Sequence, residues 1–218
     1  MELKGKKINF LGDSITQGVG VDSPEKIYLN LLKESCGLSE ARNYGISGSR
    51  IARQSNYETE NLPAFCDRFN DMDDNADVVV VFGGTNDYGH GDANLGDFTE
   101  SDENTFYGAL HVLMKGLLEK YPTSEIVFMT PIHRSGDKRP SQQNKSSSPE
   151  PLGTYVEVIK EIAKNYGIPV LDLYSSSGIV PDVEINKVTF CPDGLHPNAE
   201  GHKKIAKALA RKMTSIDV

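Results

Sequence analysis

Residues 77–84, DVVVVFGG, set four valines and a phenylalanine in unbroken succession and then stop on two glycines. A strand with one face in water alternates apolar and polar residues. An unbroken β-branched and aromatic run therefore demands cover on both faces, which a parallel sheet sandwiched between helices supplies. The same kind of run recurs at 6–12 (KKINFLG), 125–131 (EIVFMTP) and 168–174 (IPVLDLY), with a weaker one at 40–45 (EARNYG). The stretches between them have helical spacing. Phe106, Leu110, Leu113, Met114, Leu117 and Leu118 form one stripe that Tyr121-Pro122 ends, and Val156, Ile159, Ile162, Ala163 and Tyr166 form another before Gly167. A last helix has Asn198 as its N-cap and the stripe Ile205, Leu209 and Met213. Strand and helix in steady alternation predict a three-layer α/β/α domain.

At 218 residues, with 38% hydrophobic and 25% charged side chains, the chain reads as one α/β unit, residues 1–218, with no internal repeat or dividing linker. A net charge of −8 argues against non-specific binding to nucleic acid or an anionic membrane, both of which need clustered Lys and Arg. No run approaches the ~18–20 apolar residues of a membrane span. Cys36, Cys66 and Cys191 are odd in number and widely spaced, so neither a disulfide framework nor a CxxC metal site is expected. The lysine-bearing start lacks the apolar core of a signal peptide. The expectation is a reduced cytoplasmic protein, or a secreted one had a leader been removed.

The first strand leaves through FLGDSITQGVG, residues 10–20. No Lys follows Gly18, so this is not a P-loop, and Gly12-Asp13-Ser14 lacks the second glycine of a dinucleotide fingerprint. Asp13 would repel a phosphate, although Ser14 and Thr16 leave a flavin-type loop open. A nucleophilic serine makes a sharper demand. Its proton needs a base, the base needs an orienting group, and donors must await the oxyanion. CPDGLHPNAEG (191–201) supplies Asp193 and His196 in one turn, FGGTNDYG (82–89) supplies the Asn86 amide after the valine run, and NYGISGSR (43–50) supplies Gly48, whose bare backbone N–H can approach a substrate closely. Each piece follows a predicted strand or precedes the last helix, which puts all four on one edge of the sheet.

Together these residues carry a family resemblance. GDSIT at 12–16, Gly48 of NYGISGS, GTND at 84–87 and DGLHP at 193–197 resemble, in order, the four blocks of the GDSL-type, or SGNH, hydrolases, and the likeness runs from residue 8 to the final helix. The resemblance implies a flavodoxin-like α/β/α fold with a five-stranded parallel sheet in the order 2-1-3-4-5. It implies Ser14 as nucleophile, His196 as general base and acid, and Asp193 as the group that orients His196. The oxyanion hole would comprise the Ser14 and Gly48 N–H groups and the Asn86 side chain. No metal or organic cofactor is implied.

Around this set, Asp13 is expected to brace the turn and is also a candidate substrate contact, as are Tyr88, His90, His133 and Arg134, which fall past strand ends. Cys191 reads as a buried thiol and His202 as a surface or packing residue. The acids of the 88–104 loop lack the spacing of a calcium loop and read as solvated. That loop and a second one, 134–150, are polar and charged where a lipase would be expected to carry an apolar lid. They favour a small acyl group, O-acetyl, on a polar small molecule or glycan. A lysophospholipase or thioesterase activity, a flavodoxin-like cofactor carrier and a non-catalytic binding module are the alternatives.

Overall fold

The computed structural model describes residues 1–55, 62–141 and 150–216. Five strands, β1 (Lys7–Gly12), β2 (Glu40–Gly45), β3 (Val78–Phe82), β4 (Glu125–Met129) and β5 (Val170–Leu171), form one sheet in the order β2-β1-β3-β4-β5. Every pairing is parallel, with Gly12 opposite Gly45 on one side and Phe82 on the other. The helices are α1 (Ser14–Gln17), α2 (Tyr28–Cys36), α3 (Phe65–Arg68), α4 (Thr85–Gly89), α5 (Phe106–Lys120), α6 (Leu152–Asn165), α7 (Leu173–Ser176), α8 (Glu184–Phe190) and α9 (Ala199–Thr214). None of them, among the described residues, is long and apolar enough to cross a membrane.

The valine run behaves as its composition demands. Val79 and Val81 enter one core with Phe106, Leu110, Leu113 and Ile159, while Val78, Val80 and Phe82 enter the other with Tyr28, Leu32, Ile205 and Leu209. All five residues of β3 are buried. Alternate side chains thus feed α5 and α6 on one side and α2 and α9 on the other, and each fully buried Val or Phe contributes about 1.5–3 kcal/mol relative to exposure. β2 looked weak because it lies at the sheet edge and carries half-buried polar residues, including Arg42, which pairs with Glu40 and Asp73.

One boundary differs from expectation. The segment 168–174 is a strand only at Val170–Leu171, because Asp172 caps α7 by accepting from Ser175 N at 3.1 Å and also takes the Thr130 hydroxyl at 3.1 Å. The N-cap at Asn198 is as expected; its side chain accepts from Glu200 N and Gly201 N. α6 begins at Leu152, earlier than its apolar stripe suggested. Because β1 sits between β2 and β3, the chain winds away from it in opposite directions and opens a crevice at the strand C-termini, the ligand-binding position in open α/β sheets.

Candidate active site

β1 ends at Gly12 with no room for a side chain: a Cβ there would lie 1.9 Å from Thr16 Oγ1. Asp13 caps the single turn of α1 by accepting from Ile15 N at 2.9 Å, which leaves Ser14 as its first residue, buried at the head of the turn. Thr16 anchors the turn to α2 through a 3.0 Å hydrogen bond with the Tyr28 hydroxyl. Burial pushes the Asp13 carboxyl up to about 7 and Asp87 adds to this, against the opposing pull of the Ile15 N–H and the Arg68 guanidinium.

Ser14 Oγ lies 3.0 Å from His196 Nε2, and His196 Nδ1 lies 2.7 Å from Asp193 Oδ2. An ionised carboxylate can only accept, so Nδ1 holds the proton and the Nε2 lone pair faces the serine. The other Asp193 oxygen accepts from Leu195 N at 2.8 Å and His196 N at 2.7 Å, a tight turn that Gly194 completes at φ +80°. Burial pushes the Asp193 carboxyl up, but those N–H groups and the imidazole outweigh it and hold the acid below its ordinary value. Gly20, at φ +99°, lets this loop seat against the first turn: a Cβ there would meet Pro197 O at 2.4 Å.

The expected oxyanion donors come from the neighbouring strands. Gly48 sits past β2 at φ +79°, and Ile46 N ties its loop to Gly12 O at 3.0 Å. Asn86 lies buried in the single turn of α4, with Nδ2 donating to Ser49 O at 3.1 Å and Oδ1 3.0 Å from His90 Nε2. Two residues that sequence reasoning missed lock these loops together. The Asp87 carboxylate accepts from Ile51 N and Ala52 N at 3.0 Å, and buried Arg68 donates to Gly12 O and Tyr44 O at 2.5 Å and to Ser49 Oγ at 3.0 Å. Burial lowers the Arg68 pKa to about 10, against the attraction of Asp13. A lone arginine has no local pattern to mark it; only the fold reveals that the ends of β1 and β2 and the loop after β2 converge on it.

The remaining candidates divide. Arg134 lies over the Tyr88 ring at 5.5 Å and donates to Thr85 O at 3.1 Å, in space that Gly89 leaves by lacking a side chain. With Ser135, Gly136 and Arg139 they line a polar cleft of about 400 Å³, and Ser135 N bonds Gly194 O at 2.8 Å, joining the cleft wall to the Asp193–His196 loop. His133 instead pairs with buried Asp137 at 2.7 Å and packs on Tyr174 at 3.7 Å between ring centroids, while His90 supports Asn86. His202 is a packing residue and not a surface one: it is fully buried, accepts from Tyr28 N at 3.1 Å, and is pushed down to about 4 by burial. Burial pushes the Cys191 thiol up to about 12. In the 88–104 loop, Asp97 and Asp102 cap turns at Thr99 and Asn104, Asp92 takes Ser55, and Glu103 pairs with Arg53. Residues 142–149 of the second polar loop lie outside the described residues.

A serine facing an imidazole backed by a carboxylate, at the C-terminal edge of a parallel sheet, is an arrangement used by serine-nucleophile hydrolases. The chain belongs to the GDSL-like lipase/acylhydrolase family, whose model matches residues 10–204. It is similar to a multidomain esterase of Ruminococcus flavefaciens, 26% identical over 231 residues that cover 92% of this chain and 27% of that protein. It is also similar to an acetylxylan esterase of Xylanibacter ruminicola, 26% identical over 218 residues that cover 94% of this chain and 42% of that protein. The chain thus spans less than half the length of either relative. A solved structure of a Lactobacillus plantarum protein, 31% identical, superposes over 99% of both chains with a TM-score of 0.85.

Proposed function

We propose that this chain is one catalytic domain, a serine esterase that removes small acyl groups, O-acetyl above all, from a polar carbohydrate. The observation that carries the reading is the continuous hydrogen-bonded chain from Ser14 through His196 to Asp193, at 3.0 and 2.7 Å. Ser14 Oγ attacks the ester carbonyl as His196 Nε2 takes its proton, and Asp193 stabilises the imidazolium that results. The N–H groups of Ser14, Gly48 and Asn86 receive the oxyanion. Collapse passes the His196 proton to the departing alcohol and leaves an acyl-serine. Water, deprotonated by the same histidine, then attacks that ester and releases the acid. The base and the donors are all protein groups, so the cycle needs no metal or organic cofactor.

The preference for a small acyl group on a polar alcohol is supported by the cleft of Tyr88, Arg134 and Arg139, which offers hydrogen-bond donors and little greasy surface. The acetylxylan esterase relative points the same way. The test is hydrolysis of p-nitrophenyl acetate, butyrate and octanoate by the wild type and by Ser14→Ala, followed by acetylated xylo-oligosaccharides. Acetate should be cut fastest and the variant should be inert. Rates rising steadily past butyrate would remove the acetyl preference, and a fully active Ser14→Ala would remove the serine mechanism.

A further inference from the structure

The oxyanion role of Asn86 depends on which way its carboxamide faces. An amide turned over by half a rotation would present oxygen, not N–H, to a developing negative charge. Ser49 O is a pure acceptor, so the atom 3.1 Å from it is Nδ2, which uses one N–H there and keeps a second. The opposite end of the amide, Oδ1, lies 3.0 Å from Nε2 of His90, four residues on, at the C-cap of α4. An imidazole nitrogen can donate or accept, and its own tautomer decides which. That tautomer is set by a third residue. Arg50 Nη2 contacts His90 Nδ1, and a guanidinium can only donate. Nδ1 is therefore the acceptor, Nε2 carries the hydrogen, and Asn86 Oδ1 receives it.

From this chain of obligate donors, and resting on the esterase reading above, we infer that His90 is a positioning residue, locked by Arg50, that holds the Asn86 carboxamide with its spare N–H turned toward the oxyanion. Arg50 is buried and lies two residues past Gly48, so one side chain links the loop bearing one proposed donor to the helix bearing another. Its carbonyl also receives Phe65 N at 2.8 Å, which pins that loop to α3. The sequence placed His90 among the substrate contacts; the geometry directs it inward, to the amide.

The test is a double-mutant cycle on p-nitrophenyl acetate with His90→Leu, Asn86→Ala and the pair, with His90→Gln as the variant that retains an N–H donor. His90→Leu should lower kcat by about 10- to 10²-fold at nearly constant KM, less than the ~10²–10³-fold of an oxyanion donor deleted outright, because the amide is misdirected and not removed. It should cost nothing further once Asn86 is alanine, and His90→Gln should recover part of the rate. An equal loss in both backgrounds, or a raised KM with kcat intact, would overturn the assignment. A second readout stands apart from catalysis: ¹⁵N chemical shifts of the His90 ring should report the Nε2–H tautomer. A ring protonated at Nδ1 would overturn the lock even in an active enzyme. An inert wild type with the expected tautomer would instead count against the esterase reading alone.

Discussion

At the residue scale, the site turns on which groups donate and which accept. Asn86→Ala deletes one oxyanion donor and should lower kcat by about 10²–10³-fold, read from steady-state rates on p-nitrophenyl acetate. Asp193→Asn is a different experiment, because the half-exposed carboxylate fixes a tautomer without touching substrate. An amide at that position can offer its own N–H to Nδ1 and so place the imidazole hydrogen on the nitrogen facing Ser14. The rate should fall by about 10⁴-fold with the fold intact. Ser14, His196, Asp193, Gly48 and Asn86 were legible in the sequence because their spacing repeats four family blocks. Arg50, Arg68 and Asp87 were not, because their partners lie 19 to 56 residues away in the chain and no local pattern announces them.

At the scale of elements, the site is a set of strand ends held in register by loops that tolerate no extra atoms. Gly20 shows this best, since alanine there would need both a left-handed backbone and the space occupied by Pro197 O. Gly20→Ala should push the His196 loop outward and lower kcat/KM by as much as ~10²-fold, the scale of a 1 Å misplacement. Far-UV circular dichroism should be nearly unchanged, and a variant with full activity would show the loop to be more forgiving than its contacts imply. Away from the site, Leu113 in α5 is fully buried against the β3 core, so Leu113→Ala should cost about 2–5 kcal/mol in urea unfolding while leaving the Ser14–His196 geometry alone. Element type was readable from the unbroken apolar run of β3 and from the periodicity of α5 and α9. The extent of β5 was not, because Asp172 chooses between strand and helix cap only when Ser175 and Thr130 are in reach.

For the whole molecule, two buried groups give stability opposite dependences on pH. His202 titrates near 4 in the folded protein against 6.5 ordinarily, so its contribution is complete above pH 6.5 and is lost as pH falls toward 4. Asp13 is raised from 3.8 to about 7, so its contribution is complete below pH 3.8 and is lost as pH rises through 7. Each slope can reach about 1.4 kcal/mol per pH unit. Urea unfolding of the wild type against His202→Gln should therefore show a stability difference that grows in favour of the wild type from pH 4 to 6.5. The difference against Asp13→Asn should shrink over the same interval, and parallel curves for either pair would sink that assignment. By itself, the sequence determined the strands and helices and the chemistry at their ends, because apolar periodicity and turn residues act over a few neighbours. Only the tertiary structure decided which imidazole meets the amide, which carboxyl is desolvated, and which arginine gathers the ends of β1 and β2. Those outcomes depend on burial and on contacts between residues far apart in the chain, and they come into being only when the sheet is assembled.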